Sequence, residues 1–473
     1  MTASSSPAVG EAGGRRRLHL NALLMTTGHH EASWRLPESD ALAATNVDHY
    51  KKLARVAERG TFDSLFLADS PSIWGSVGRR PSGVIEPLTL LTTLAGATDR
   101  IGLIATASTS YNSPYNLARR FASLDHVSGG RSGWNIVTSA NPEAALNFGL
   151  DAREPHAKRY KRATEFIELV LKLWDSWEDD AVVADKESGV WADEAKIHPP
   201  KFMGRFYSVQ GALNIPRPPQ GYPVLVQAGS SEDGKGFAAR YAEVIFTAQQ
   251  TIGDAQAFYA NIKARATWLG RDPTSLKVLP GLVPIIGGTE AEARRKEAEL
   301  EGLLVHVQAQ TELARLLRVP VAQLDLNRPL PDEIPSEDEI ETAKSRDTLI
   351  VELGRREHLT VRQLIARLGG GRGQRTFAGT PEQVAATIEE WYSSGAADGF
   401  NIMPAVLPSG LEDFVDHVVP ILRARRLFRT EYTGHTLREH YGLRRPQNQY
   451  VTAGLDLSQA ISDLSPQLER SGL

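Results

Sequence analysis

The 473-residue sequence contains no cysteine, and this absence removes several kinds of chemistry at once. Disulfides, thiolate zinc sites, iron–sulfur clusters and cysteine nucleophiles are all excluded. No stretch approaches the run of about 18 apolar residues that a membrane-spanning helix needs, so no membrane association is expected. The chemistry of the protein is therefore expected to depend on oxygen and nitrogen groups or on a bound cofactor.

Long runs of like charge are also missing. The chain has 53 Lys and Arg against 57 Asp and Glu, a net charge of −4, and its only basic block is Arg15-Arg16-Arg17. Nucleic acid is therefore not an expected partner, because polyanion binding needs a basic surface. Residues 1–17 are small and polar and lack the apolar centre of a secretory signal. They are expected to form a disordered tail, and a cytoplasmic location is expected.

Several motifs that would identify an enzyme class are absent. No G-x-G-x-x-G follows a strand-like segment, so a tightly held dinucleotide is not expected. There is no H-E-x-x-H, and the pairs His29/His30 and His435/His440 lack the helical spacing of metal ligands. Without a G-x-S-x-G nucleophile elbow, a serine hydrolase is disfavoured as well.

The sequence does contain a regular alternation of strand-like and helix-like segments. Eight apolar segments are bounded by turn residues, at 18–25, 64–69, 101–108, 133–139, 223–229, 243–248, 277–286 and 399–406. Helical patterns lie between most of them, at 46–59, 87–98, 114–126, 155–178 and 234–242. Eight such units predict an α/β fold, specifically a (β/α)8 TIM barrel, and an open doubly wound sheet is the alternative.

Two regions exceed what a barrel needs. Residues 288–376 contain charged helical patterns and a Pro-rich acidic loop, and they predict a large insertion between strands 7 and 8. This insertion could be a lid or a subunit contact. A single barrel domain is then expected over 18–430, followed by a polar C-terminal extension, 431–473, that wraps the surface or a partner subunit.

Polar, mostly uncharged side chains follow the first six strand-like segments. They are Thr26, Thr27, His29, His30 and Glu31; Asp69 and Ser70; Thr106, Ser108 and Thr109; Thr138 and Ser139; Ser230 and Ser231; and Gln249, Gln250 and Thr251. Active sites of such barrels lie at the carboxyl ends of the strands. A ring of this kind suits a flat, polar, nearly neutral ligand such as a flavin. Any single position is explained equally well as a helix cap.

The fifth junction, GSSEDGKG at 229–236, is one residue short of a nucleotide-triphosphate loop. Gly236 stands where a magnesium-binding hydroxyl is required, and Glu232 and Asp233 would repel a triphosphate. A cradle for a monophosphate, built from backbone N–H groups and Ser230 or Ser231, is the favoured interpretation. A P-loop-like nucleotide hydrolase and a capped loop without a ligand remain as alternatives.

His156 and Tyr160 lie four residues apart at the start of a predicted helix, so both can point at one ligand. Residues of these types at a helix start are also common as surface or packing residues.

These motifs together resemble the bacterial luciferase-like, flavin-dependent monooxygenases. The resemblance is carried by GRSGWNIVTS, AA-x-NFG, H-x-x-RY followed by EFIELVLKLWDSW, and GRFYSVQGALNIPRPPQGYPVLVQAGSSEDG, and it extends over about residues 18 to 445. The most similar branch is that of the nitrilotriacetate, dibenzothiophene sulfone and long-chain alkane monooxygenases. The resemblance implies a TIM barrel that binds reduced FMN, delivered by a separate NAD(P)H:flavin reductase.

The resemblance also implies roles for individual residues. FMN contacts are implied for Asp69, Thr106, Thr138, Ser139, His156, Tyr160, Ser230 and Ser231. The first four would lie near the isoalloxazine or ribityl chain, whereas Tyr160 and the serines would face the phosphate. His30, in the G-H-H-x-x-x-W-R segment, is similar to the polar residue over the reactive face of the flavin and is the catalytic candidate.

The implied reaction is oxygenation of a small organic substrate through a C4a-(hydro)peroxyflavin. No dense arginine cluster indicates a polyanionic substrate, so a neutral apolar or aromatic molecule, halogenated or sulfur-containing in some relatives, is favoured. A homodimer or homotetramer is expected. No bound metal ion is expected. A non-catalytic FMN-binding relative is a further alternative.

Overall fold

The computed structural model describes residues 16–73, 77–78, 81, 83–139, 141–150, 154–229, 231–334, 344–371 and 373–452. The strands among them are β1 (His19–Leu24), β2 (Ser64–Leu67), β3 (Gly102–Ser108), β4 (Ser132–Val137), β5 (Val182–Asp185), β6 (Val190–Ala192), β7 (Phe202–Met203), β8 (Ser208–Val209), β9 (Val224–Gln227), β10 (Val244–Thr247), β11 (Lys277–Ile286), β12 (Arg375–Gly379) and β13 (Gly399–Ile402). The helices are α1 (Val47–Arg59), α2 (Pro87–Ala95), α3 (Pro114–Ser128), α4 (Pro142–Asn147), α5 (His156–Trp174), α6 (Glu232–Tyr241), α7 (Ile252–Trp268), α8 (Glu290–Gly302), α9 (His306–Leu317), α10 (Lys344–Arg356), α11 (Val361–Gly371), α12 (Pro381–Ser393), α13 (Ser409–Asp413), α14 (Val419–Ala424) and α15 (Leu437–His440).

Eight parallel strands close into a barrel. The order around the ring is β1, β2, β3, β4, β9, β10, β11 and β13, and β13 pairs with β1 to complete it. Strands of this kind are buried on both faces, by helices outside and by each other inside, which explains their nearly continuous apolar sequences. The predicted TIM barrel is thus confirmed, and the alternative of an open sheet is wrong.

The helices pack their apolar faces on the outside of the ring. In α1, the side chain of Asn46 accepts hydrogen bonds from the N–H groups of Asp48 and His49 and so caps the helix start. Tyr50 and Leu53 then face the barrel and are buried. The spacing of apolar residues that predicted this helix reflects this contact.

A ninth parallel strand, β12, was not predicted from the sequence. It pairs with the second half of β11, with Leu282 opposite Arg375 and Ile286 opposite Gly379. The predicted end of the insertion at 376 therefore falls inside a strand. Two small antiparallel hairpins, β5–β6 and β7–β8, were also not predicted and lie between α5 and β9.

Helices α9 to α11 form a unit with an apolar core of its own, whereas the buried residues of α8, Ala293 and Leu300, pack with the barrel. The members of this separate core include Leu304, Leu313, Leu317, Leu353 and Leu364, together with Ala32 from the segment that follows β1. The N–H of Glu31 donates to the carbonyl of Gly369 at 2.9 Å. The insertion is therefore joined directly to the segment after β1, at the carboxyl end of the barrel.

The C-terminal segment closes the opposite, amino end of the barrel. The side chains of Leu437 and Tyr441 are fully buried among residues that line the barrel interior, such as Phe66 and Ile104. A side chain at Gly102 would clash with Leu437, because a Cβ there would lie 2.3 Å from its Cδ1. The interpretation that this segment wraps the surface or a partner is wrong for these two residues, which form the floor of the barrel.

The start of the described chain also lies at this amino end. Arg16, within the predicted tail, pairs with Asp398 at 3.0 Å, whereas residues 1–15 lie outside the described ranges. No helix within those ranges combines the length and apolar character needed to cross a membrane.

Candidate functional site

The carboxyl ends of β3 and β4 bring polar side chains into register. Thr106 lies directly opposite Asn135, whose Nδ2 donates to the Thr106 hydroxyl at 2.8 Å. Just beyond the end of β4, the Ser139 hydroxyl donates to that of Ser108 at 2.7 Å. Asn135 thus lies within the barrel and is paired to a residue of the neighbouring strand.

Ser139 adopts a conformation that is uncommon for a residue with a side chain. Its φ is +39°, in the left-handed region. The guanidinium of Arg159 donates to the carbonyls of Thr138 and Ser139 at 3.3 and 3.0 Å and holds the turn in place. Strain of this kind concentrates at functional sites.

Arg159 was not among the predicted site residues, although it lies between His156 and Tyr160 and is only 3% exposed. A buried cation requires specific acceptors, and for Arg159 these are the two backbone carbonyls, which the residue types do not reveal.

A cluster of donors forms between α5 and the start of α6. Ser231 caps α6 by accepting from the N–H of Gly234, and the Tyr160 hydroxyl lies beside the side chains of Ser231 and Thr138. Burial raises the pKa of Tyr160, and these neighbouring hydroxyls partly oppose the rise. The structure thus brings together Tyr160 and Ser231, predicted at the phosphate, with Thr138, predicted near the isoalloxazine or ribityl chain. Ser230 lies outside the described residues.

The close approach at this cluster depends on a glycine. A Cβ on Gly234 would lie 3.0 Å from the Tyr160 hydroxyl and 3.1 Å from the Ser231 hydroxyl. The space in front of the α6 N-terminus is thus lined by two hydroxyls and backbone N–H groups, which is the composition of an anion cradle.

His156 lies beside this cradle and is paired with an acid. Its Nδ1 is 2.8 Å from a carboxylate oxygen of Asp233, the second residue of α6. A carboxylate in this position orients the imidazole and stabilises the ring when it carries a positive charge. The cradle therefore has beside it a histidine that an anion can approach.

The P-loop alternative conflicts with this geometry. Strand β9 ends at Gln227 and α6 begins at Glu232, so Gly234, Lys235 and Gly236 lie inside the helix rather than in a loop. The ammonium of Lys235 is paired with Glu232. Four connecting residues cannot wrap a triphosphate, and the lysine is engaged elsewhere.

A cleft opens beside the ends of β1 and β2. It is lined by the predicted residues His30 and Asp69, by Glu31, and by an apolar wall of Leu24, Met25, Tyr50, Leu67, Val84, Ile85 and Leu90. Burial, reinforced by the charge of Glu86, raises the pKa of Asp69 to about 6. Among the described lining residues there is no lysine or arginine.

The orientation of His30 is fixed by backbone contacts. Its N–H donates to the carbonyl of Ala405 at 3.0 Å, and its Nδ1 accepts from the N–H of Ala32 at 3.1 Å. The neutral ring therefore carries its proton on Nε2. His30 is 2% exposed, so this proton is held away from bulk water.

The structure thus divides the described candidate residues into two clusters on one end of the barrel. His30 and Asp69 line the cleft at β1 and β2, whereas Thr138, Tyr160, His156 and Ser231 meet at β4 and β9. Thr106 and Ser139 lie on the wall between them. Two hydrogen bonds connect the segment after β4 to the segment after β2, because the Asn141 amide donates to the Ser72 hydroxyl at 2.6 Å and the Asn147 amide donates to the Pro71 carbonyl at 3.0 Å.

Comparisons with known proteins agree on the class of protein. The family model described as luciferase-like monooxygenase matches residues 25–398. The N-acetyl-S-(2-succino)cysteine monooxygenase of Bacillus subtilis strain 168 is 48% identical over 438 residues, which are 92% of this chain and 99% of that relative. Nitrilotriacetate monooxygenase component A of Aminobacter aminovorans is 46% identical over 449 residues, covering 92% and 98% of the two chains.

The fold is similar to that of a solved structure with a flavin. The crystal structure of riboflavin lyase with modified FMN and riboflavin matches with a TM-score of 0.79 at 32% identity, over 91% of this chain and 97% of that one.

Proposed function

Because the chain belongs to the luciferase-like monooxygenase family, we propose that it uses reduced FMN and O2 to oxygenate a small organic molecule. The reduced flavin would come from a separate NAD(P)H:flavin reductase. The observation that carries the proposal is the cradle between α5 and α6, which has hydroxyl and backbone N–H donors for a phosphate and stands on the same barrel end as a cleft with a buried histidine.

The residues at the cradle fit the phosphate of FMN. Tyr160 and Ser231 offer hydroxyls, and the N-terminus of α6 offers backbone N–H groups and a partial positive charge. His156, held by Asp233, lies beside these donors. The acidic Glu232 and Asp233 leave no place for a second or third phosphate, which favours FMN over a dinucleotide.

The wall between the cradle and the cleft fits the remainder of the flavin. Thr106, Ser139 and Thr138 present neutral polar groups, and Asp69 closes the row at β2. A flavin ring has several donors and acceptors but little charge, so side chains of this kind match it.

When bound, reduced FMN supplies the electrons that activate O2. The residues of this chain would bind and orient the partners and keep water away. His30 would hold a proton at Nε2 beside the cleft, from where it can pass to a reacting group. We also propose that the insertion α8–α11, joined to Glu31 next to His30, serves as the cover that excludes solvent.

The cleft favours a neutral substrate with an apolar or aromatic body. Its wall combines aliphatic side chains and Tyr50 with the uncharged hydroxyls of Thr26, Thr27, Ser33, Ser70 and Ser72, and the charged groups among its described residues are the acids Glu31 and Asp69. An anionic substrate would be repelled there unless a cation outside the described residues balances it. The two relatives named above act on carboxylated molecules by name, so carboxylates are the alternative that a substrate screen must include.

The oligomeric state and the possibility of a non-catalytic flavin binder are open to direct measurement. We propose a homodimer or homotetramer, to be checked by light scattering after gel filtration. A non-catalytic relative would bind FMN but would consume oxygen independently of any substrate.

The test is oxygen incorporation. The purified protein is mixed with FMN, NADH and a flavin reductase under ¹⁸O2, and products are analysed by mass spectrometry. The panel pairs a neutral sulfone or thioether with a polycarboxylate of similar size. Labelled product from the neutral member supports the proposal, and product from the polycarboxylate alone overturns the proposed substrate class. FMN binding without labelled product from any member identifies a non-catalytic relative, and absence of FMN binding overturns the function altogether.

A further inference from the structure

The barrel wall between β3 and β4 carries two polar pairs, one nearer the mouth than the other. Thr106 and Asn135 form the deeper pair and are 3% and 4% exposed, and Ser108 and Ser139 form the outer pair. Directly below the deeper pair come the apolar side chains of Ile104 and the floor residue Leu437. Nearer the floor, the buried polar side chains of Asn21, Ser64 and Asn401 are hydrogen-bonded among themselves and to Tyr441. The Thr106–Asn135 pair is therefore the polar layer that directly underlies the proposed flavin site.

The hydrogen bond within the deeper pair has a direction. The Asn135 amide is the donor, and the Thr106 oxygen is the acceptor, at 2.8 Å. A hydroxyl has one proton to give and accepts through its lone pairs. Because Asn135 occupies an acceptor position, the proton of Thr106 remains available, and no acceptor for it is found in the described part of the chain.

We propose that Asn135 is a positioning residue for cofactor binding. By donating to Thr106, it commits the Thr106 O–H to donate to an acceptor atom of the bound flavin, a carbonyl oxygen or a ring nitrogen. This inference rests on the proposed function, since it concerns the same site. It gives Asn135 a role exerted through Thr106 and without contact to the flavin.

Two alternative roles for Asn135 compete with this proposal, and each leads to a different experimental result. Its Oδ1 is buried with no hydrogen-bond partner among the described residues, so Asn135 could contact the flavin directly. Its amide could also serve only to fasten β4 to β3. A direct contact acts independently of Thr106, and a fastening role changes stability but not flavin affinity.

A double-mutant cycle separates these roles. The wild type, Asn135→Leu, Thr106→Val and the double variant are compared by the quenching of FMN fluorescence, which gives the dissociation constant without turnover. Each single variant is expected to weaken FMN binding by up to about tenfold, the worth of one hydrogen bond. The double variant is expected to bind no more weakly than Thr106→Val, because without the hydroxyl there is nothing for Asn135 to direct.

Thr106→Ser is the matched control, since it keeps the hydroxyl. In that background, Asn135→Leu must still weaken FMN binding. Thermal unfolding of each variant without flavin reports folding, and Asn135→Ala replaces the leucine variant if the latter does not fold.

The outcomes are distinct. Effects that multiply in the double variant overturn the inference in favour of direct contact, and an unchanged dissociation constant with a lowered Tm overturns it in favour of fastening. Both leave the proposed function intact. A wild type that binds no FMN overturns the proposed function and this inference with it.

Discussion

Tyr160 offers the simplest test of the cradle at the level of one atom. Its hydroxyl meets Ser231 and Thr138 in front of α6. We expect Tyr160→Phe to weaken FMN binding by about tenfold or more, as for a hydrogen bond to a charged group, and to leave riboflavin binding unchanged because riboflavin has no phosphate. Fluorescence titration with both flavins measures this.

The matched control is Tyr115→Phe, because the Tyr115 hydroxyl donates to the carbonyl of Ala212 and takes no part in the cradle. An equal loss of riboflavin affinity in Tyr160→Phe would show that Tyr160 does not contact the phosphate.

Asp69 gives stability a pH dependence with a definite sign. Its pKa rises from 3.8 to about 6 on folding, chiefly through burial, so the folded state holds its proton more tightly than the unfolded chain. Stability therefore falls as the pH rises through about 4 to 6, and the loss is complete above that window. Relative to wild type, the free energy of unfolding of Asp69→Asn is expected to be higher by about 1 kcal/mol or less at pH 8, after allowance for solvent screening at a half-buried site. At pH 4 the two proteins should differ little in this free energy.

Urea unfolding at the two pH values provides the measurement for Asp69. Asp48→Asn is the control, since this carboxylate is 87% exposed. A gain at pH 4 equal to that at pH 8 would mean that ionisation of Asp69 is not the cause.

The sequence indicated which residue types belong to the site better than it indicated which residues contact one another. His156 and Tyr160 could be predicted as partners because helical spacing places them on one side of α5. Arg159 could not, since its acceptors are backbone carbonyls released by the left-handed turn at Ser139, and that turn has no signature in the residue types around it. The pairing of Asn135 with Thr106 depends on strand register, which only the closed barrel defines.

At the scale of single elements, the short helix α15 is expected to contribute to stability through Leu437. Leu437 is fully buried in the barrel floor. We expect Leu437→Ala to lower the free energy of unfolding by about 2 to 5 kcal/mol, because it removes packing from an interior that cannot collapse. Leu42→Ala, at a residue that is 79% exposed, should change it by less than about 0.5 kcal/mol. Equal effects in urea unfolding would contradict a buried floor.

The proposed cover can be tested by hydrogen exchange. If α8–α11 closes over the cleft, amide exchange in α11 should slow when FMN and a substrate are present, because Gly369 is joined to Glu31 beside His30. Helix α3, on the outer wall, serves as the internal control. Slowing that follows protein concentration and not ligand would identify the insertion as a subunit contact.

Strands that are apolar on both faces could be predicted from the sequence. Short strands, and single apolar residues within a polar segment, could not. The eight barrel strands are apolar on both faces, so their sequences alone indicated them. Strand β12 has the sequence RTFAG, short and preceded by glycines, and it pairs on one side only. The floor was missed because Leu437 and Tyr441 are single apolar residues in a polar segment, and only the ring around them makes them core.

For the whole molecule, the two ends of the barrel have different electrostatic roles. At the amino end, buried Asp398 would have a raised pKa from burial alone, but Lys263 and Arg16 lower it to about 2. Because the folded pKa lies below the unfolded one, this stability is present above about pH 4 and is lost as the pH falls toward 2. At the mouth, Asp69 shows the opposite shift, because burial raises its pKa to about 6.

Asp398→Asn should therefore destabilise the protein by about 3 to 5 kcal/mol at pH 7, because it leaves Lys263 without its buried counter-charge. The difference from wild type should shrink as the pH falls toward 3, where the wild-type carboxylate begins to protonate. Urea unfolding across this range checks the prediction, with exposed Asp48→Asn as the control. A difference independent of pH would mean that packing and not charge is responsible.

The barrel floor has a consequence for how the protein is made. The ring of strands is complete once β13 has left the ribosome, but its interior stays open until Leu437 and Tyr441 have also emerged. During that interval the nascent chain exposes an apolar channel, and such surfaces promote aggregation. If the ring closes before these two residues emerge, insertion of the floor is a late step of folding, and we expect chaperones that act during translation to bind at that stage.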